Sequence, residues 1–141
     1  MQAIQPICPV FAELLLNYLP QEHTRLSTYC DILPFNYIPP THPFPGLVAN
    51  LQVATNVHRD VADETICMVM PWGNYDGGEL VIEEIGLVID LPPGSIAVFP
   101  SWLLAHYNLH FTGFRGSIVM HSDKQGKCWV DDRNGWEEHV V

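Results

Sequence analysis

The sequence predicts an all-β sandwich or barrel preceded by one short helix. Short runs rich in β-branched and aromatic residues recur from Leu47 onward, and turns rich in Gly and Pro separate them at regular spacing. Helical periodicity is confined to one stretch near the start.

That stretch is Val10 to Tyr18, where Val10, Phe11, Leu14, Leu15 and Tyr18 recur at helical spacing. Pro9 suits a first turn and Pro20 blocks continuation, so a single helix packed outside a sheet is expected. Pro34 to Gly46 holds five prolines and reads as an irregular arm or lid-like loop crossing the surface. Leu47 to Val53 and Ile66 to Met70 read as strands, the second bounded by Pro71. Trp72 to Gly78 is a turn by composition. Leu80 to Ile82 and Gly86 to Leu91 are strand-like, Leu91 to Gly94 is a tight turn, and Ser95 to Phe99 and Phe114 to His121 complete the strands. Lys124 to Val141 is a polar tail that Trp129 and Trp136 would anchor. The expected organisation is one domain: a helix and Pro-rich arm over 1–46, a catalytic β core over 47–123 and a tail over 124–141.

Bulk properties narrow the function. The chain has 141 residues, a 48% hydrophobic fraction and a net charge of −10 from 6 basic and 16 acidic residues. Between Leu26 and Asp123 the basic residues are Arg59 and Arg115 alone. Phosphate neutralisation needs several cations on one surface, so the charge disfavours duplex nucleic acid as a partner. No apolar run approaches the ~20 residues of a membrane span. The start lacks a basic and then apolar leader, and Cys8, Cys30, Cys67 and Cys128 form no paired zinc pattern. A cytoplasmic or nuclear chain with reduced thiols is the expectation.

His58-Arg59-Asp60 carries the first chemical signal. In a strand, residues two apart share a face, so His58 and Asp60 can reach one metal together while Arg59 points away. Two imidazoles and one carboxylate form the three-ligand face of non-haem Fe(II) sites, which leaves positions open for O₂ and a co-substrate. The third ligand must come from a distant strand, and the candidates are His106, His110 and His121. His106 is preferred: the apolar run Trp102 to Ala105 can carry it inward, whereas His110 sits near a Thr112-Gly113 turn and His121 lies beyond Arg115. A bland alternative makes His58 a hydrogen-bonded loop histidine and Asp60 a turn residue. A kinase reading of His-Arg-Asp fails, because the chain is too short and lacks a Gly-rich loop and an Asp-Phe-Gly motif.

Gly113-Phe114-Arg115-Gly116-Ser117 sets a guanidinium and a hydroxyl two residues apart on one strand face. An Arg fork pairs with a carboxylate through parallel charge-assisted bonds, and Ser117 adds a third. The pair suits the distal carboxylate of 2-oxoglutarate. Asn56, Asn108 and Tyr75 are polar neighbours able to orient a ligand from behind.

The order His-x-Asp, distal His, Arg-x-Ser resembles the Fe(II)/2-oxoglutarate-dependent dioxygenases, whose fold is the double-stranded β-helix (jelly-roll). Gly77-Gly78-Glu79-Leu80 and Pro93-Gly94-Ser95 with Val98-Phe99 resemble elements of that superfamily. More narrowly, Asn56 to Asp60, Cys67, Pro71-Trp72-Gly73, His106-Tyr107-Asn108 and Gly113 to Val119 are similar to the thymine and 5-methylcytosine oxygenase-like (TET/JBP-like) domains of fungi. Characterised members are longer and more basic. The resemblance implies an oxidoreductase that binds Fe(II) through His58, Asp60 and His106. It implies 2-oxoglutarate docked on Arg115 and Ser117, and hydroxylation of a C–H bond with O₂. The substrate expectations are a nucleobase methyl group, or a small molecule or peptide side chain. A jelly-roll metal-binding or interaction module without turnover is the non-enzymatic alternative.

Overall fold

In the computed structural model, which describes residues 7–33 and 37–131, two helices rather than one precede the sheets. α1 (Cys8–Tyr18) buries Cys8, Phe11 and Leu15 and leaves Val10 and Tyr18 exposed. Pro20 does end it, for want of an N–H, yet the same residue opens α2 (Pro20–Asp31). α2 escapes sequence periodicity because its buried side is only Leu26, Tyr29 and Cys30. Its Thr24, Ser27 and Thr28 hydroxyls donate to carbonyls four residues back at 2.8–3.0 Å, which suits them to the outer face.

The Pro-rich arm, described from Tyr37, is not a surface lid. Phe44 is 0% exposed and packs with Phe11, Leu15, Leu26 and Tyr29 against the sheet. The Thr41 hydroxyl donates to Phe44 O at 2.7 Å, and the Cys30 thiol donates to Pro43 O at 3.0 Å. Burying an aromatic ring outweighs the polar character of the neighbouring turns.

Seven strands follow: β1 (Gly46–Leu51), β2 (Cys67–Gly77), β3 (Leu80–Ile82), β4 (Leu87–Ile89), β5 (Ala97–Phe99), β6 (His106–Asn108) and β7 (Phe111–His121). All pairings are antiparallel, in a major sheet of order β1-β7-β2-β5 and a minor sheet of order β4-β3-β6. The two face each other without closing into a barrel.

The expected turns at Trp72 to Gly78 and at Thr112-Gly113 are corrected. β2 and β7 pair continuously from Met68↔Met120 to Gly77↔Phe111. The glycines mark close backbone approach instead. At Gly73 (φ +122°) a Cβ would meet Phe114 O at 2.2 Å, and at Gly113 (φ +94°) it would meet Asn74 O at 2.4 Å. Trp102 to Leu104 is a turn and bend rather than a strand, and His106 itself opens β6. Lys124–Asp131 is a third helix, α3, where only a polar tail was expected. Trp136 lies outside the described residues, as does the side chain of Trp129.

Strand alternation sorts side chains into two cores. Met68 and Met120 face α1, α2 and Phe44. Cys67, Val69, Phe99 and Val119 face the minor sheet, where Leu80 and Ile82 meet them. The inner face of β7 therefore carries Arg115, Ser117, Val119 and His121 into the space between the sheets. Cys30, Cys67 and Cys128 are free thiols, and among the described residues no helix is long and apolar enough to cross a membrane.

Candidate metal centre and carboxylate pocket

His106 enters the inter-sheet space at the first residue of β6, which pairs with β3 through Ile82↔His106. Its backbone also bridges His58 in both directions, His58 N–H to His106 O at 3.1 Å and His106 N–H to His58 O at 3.0 Å. This bridge brings the two imidazole rings to 4.4 Å between centroids. Asp60 is tied separately, its N–H donating to Ser101 O at 3.0 Å.

His58, Asp60 and His106 each offer one ligand atom, and these atoms lie within 4.8 Å of one another. His58 Nε2 is 3.5 Å from Asp60 Oδ1, and His106 Nε2 is 3.6 Å from Asp60 Oδ2. Neither spacing is a good hydrogen bond. Both are close to the ~3 Å edge between neighbouring ligands of an ion with ~2.1 Å bonds. Each Nδ1 is held at 2.8 Å by a backbone carbonyl, Asn56 O for His58 and Leu104 O for His106. A carbonyl only accepts, so Nδ1 carries the proton and Nε2 keeps its lone pair turned toward Asp60. Donor set and tautomers thus fit a divalent ion of the non-haem iron type. His106 is nearly enclosed, with a side chain 9% exposed, while His58 (40%) and Asp60 (34%) border solvent.

The three residues line a cavity of about 450 Å³, together with Asn50, Thr55, Asp63, Cys67, Phe99, Asn108, Ser117 and His121. Phe99 sets its ring edge-on to His106 at 4.9 Å. His121 joins the cavity but not the ligand cluster, and stands 3.7 Å from Asp63 Oδ1. Burial pushes the Asp63 carboxyl up to about 6, Asp60 adds to the shift, and His121 and Ser101 oppose it. His110 is not among the lining residues, and its carbonyl accepts from Gly78 N–H.

Arg115 is 3% exposed, and its Nε and Nη2 are buried without a hydrogen-bond partner. Among the described residues no carboxylate forms an ion pair with it. Tyr75 and Phe111 place their rings 5.4 and 5.7 Å from the guanidinium carbon. The Tyr75 hydroxyl donates to Leu91 O, and its ring packs on the cation. Gly78 (φ +75°) closes the other side, where a Cβ would stand 3.0 Å from Arg115 Nε. A buried guanidinium with idle donors is a receptacle for an anion.

Other expected residues act less directly. Asn56 contributes its backbone carbonyl to His58, and Asn108 donates through Nδ2 to Gly78 O at 3.2 Å, bracing the turn beside Arg115. Sequence reasoning missed Asp63 and Ser101, which carry no local motif, and weighed His121 only as a third ligand, not as the neighbour of Asp63. It also missed Gln52, whose Oε1 accepts Arg115 N–H at 2.6 Å.

No family model matches the chain, and no curated protein matches it in sequence. Among solved structures it is similar to NgTET1 in complex with 5mC DNA, with a TM-score of 0.76, 19% identity and 87% of this chain covered. The chain spans about half of that neighbour, 49% of its length. At this identity the likeness concerns the fold: a TET-like jelly-roll core with helices on its outer face. On that fold sits a His-Asp-His cluster able to hold a metal ion.

Proposed function

We propose that the chain is an Fe(II)- and 2-oxoglutarate-dependent oxygenase that hydroxylates a C–H bond. The observation that carries the reading is the pairing of two features in one inter-sheet space. These are the convergent His58, Asp60 and His106 and the buried Arg115, with Nε and Nη2 idle, on the adjoining strand face.

In this reading His58, Asp60 and His106 hold the iron through Nε2, one carboxylate oxygen and Nε2. Two neutral imidazoles and one carboxylate leave a net positive charge, which suits a dianionic keto acid. Bound iron would supply O₂ activation coupled to oxidative decarboxylation of 2-oxoglutarate. Arg115 takes the distal carboxylate in its idle fork, and Ser117, buried on the same face, adds a hydroxyl donor. Tyr75, Phe111 and Gly78 keep water from the guanidinium, which strengthens the pairing. Asn56 and Leu104 fix the imidazole tautomers through their carbonyls, and Asn108 steadies Gly78.

The fold neighbour was solved with 5mC DNA, which supports a nucleobase methyl group as the oxidised position. The net charge of −10 favours a second substrate class, a small molecule or peptide side chain without a phosphate backbone. A succinate-release assay with Fe(II) and 2-oxoglutarate separates them. Methylated single-stranded DNA, methylated RNA, free nucleosides and peptide pools are compared. Stimulation by the methylated polymers supports the first class, and stimulation by nucleosides or peptides supports the second. Metal binding with no turnover from any pool would mark a binding module instead.

A further inference from the structure

Arg59 lies between two of the clustered residues, and its side chain leaves the cavity. Nε donates to Leu103 O at 2.9 Å, and Nη2 pairs with Glu84 Oε1. The other oxygen of Glu84 accepts Ala105 N–H at 2.8 Å. Ala105 in turn accepts Glu83 N–H at 3.0 Å, and Leu104 O receives the His106 ring at 2.8 Å. The three residues before His106 are therefore each tethered by a polar bond, and two of these tethers run through Arg59 or Glu84. The hydrogen bond from Arg59 is the main influence holding the Glu84 carboxyl below its usual range, so the acceptor stays ionised.

The fork geometry does something a lone ammonium would not. Two donors on one planar group reach a carbonyl and a carboxylate that belong to different chain segments. The segment carrying His58 and Asp60 is coil, and its backbone is fastened at its two ends, by the His58–His106 bridge and by Asp60 N–H to Ser101 O, so the side chain of Arg59 is the tie between those two points. We propose that Arg59 and Glu84 are positioning residues forming an outer clamp that sets the distance between the His58–Asp60 segment and His106. This rests on the reading of those three residues as metal ligands. The clamp also accounts for one of the two basic residues in the β core: Arg59 is committed to holding the site rather than to contacting a phosphate.

The test is a titration with Co(II) alone, followed by its ligand-field absorption, on the full chain and its variants. Arg59→Met and Glu84→Gln are each expected to weaken Co(II) binding about 10- to 100-fold. The absorption envelope should change while the thermal midpoint of the metal-free protein does not. Arg59→Lys, with one donor group in place of the fork, should fall between Arg59→Met and the parent. The double variant should bind no more weakly than the weaker single one, because both residues act through one clamp. Unchanged Co(II) affinity in Arg59→Met overturns the clamp. So does a loss of affinity accompanied by an equal loss in thermal stability, which would mark a general packing role. Should Arg59→Met not fold, Glu84→Gln answers the same question. Absence of Co(II) binding in the parent protein would instead overturn the metal-site reading itself.

Discussion

His106 and Arg115 are both buried side chains of the proposed site, and they should respond to substitution in opposite ways. His106→Ala removes the inward-facing member of the proposed ligand set, so Fe(II) binding measured by equilibrium dialysis should vanish. His110→Ala should retain it, since His110 does not line the cavity. Arg115 is a buried charge with two idle nitrogens. Arg115→Met should therefore leave the ligand-free protein as stable as before, or more stable by roughly 1–3 kcal/mol, in urea titrations. The same variant should need at least ~10-fold more 2-oxoglutarate for half-maximal succinate release, the loss expected from removing a charge-assisted pair. A variant that is both destabilised and unaltered in its 2-oxoglutarate requirement would make Arg115 structural. At this scale much was legible in the sequence. Arg115-x-Ser117 shares a face by strand geometry in β7, whereas His58-x-Asp60 converges from a coil segment with one isolated bridge, where a strand was expected. Asp63 and His121, or Arg59 and Glu84, meet only through tertiary folding and have no such local signature.

Among the elements, β2 and β7 form the long central ladder, and their glycines are its points of closest approach. Gly113→Ala would drive a Cβ toward Asn74 O from a positive-φ backbone. It should cost about 1–3 kcal/mol for the conformation alone, more with the clash, and should lower the denaturant midpoint without changing the m-value. A neutral substitution would mean that the ladder opens there at little cost. The composition Trp72-Gly73-Asn74-Tyr75-Asp76-Gly77-Gly78 reads as a turn, because Gly and Asn favour turns locally. Pairing with β7 overrides that preference along its whole length. α2 was illegible for the converse reason: a narrow apolar stripe and a leading proline that also terminates α1.

For the whole molecule, a helical layer, a major sheet and a minor sheet confine the site to the space between the sheets, with the helix-side core behind it. Phe44, from the Pro-rich arm, is a keystone of that rear core, and Phe44→Ala should cost roughly 3–5 kcal/mol by chemical denaturation. A surface lid would lose almost nothing. Cys30 links the same arm to α2, and burial, with a smaller contribution from Asp31, pushes its thiol up to about 11 from the usual 9.0. A thiol with a raised folded pKa stabilises fully below the unfolded value, and that stabilisation is lost as pH climbs through the folded one. Unfolding free energy should therefore decline from about pH 9 toward pH 11, and Cys30→Ala should flatten this part of the decline. The sandwich class was readable from strand spacing. The arm's burial was not, because five prolines signal irregular backbone without saying which side of it faces the core.

In the proposed function one inter-sheet space holds Fe(II) on His58, Asp60 and His106 and 2-oxoglutarate on Arg115. Anaerobic calorimetric titration of Fe(II) followed by 2-oxoglutarate measures both at once. One Fe(II) per chain and keto-acid binding that requires the metal are expected. Both heats should be lost in His106→Ala, and only the second should be weakened in Arg115→Met. Binding of 2-oxoglutarate that is indifferent to metal and to Arg115, or Fe(II) binding that survives His106→Ala, would contradict it.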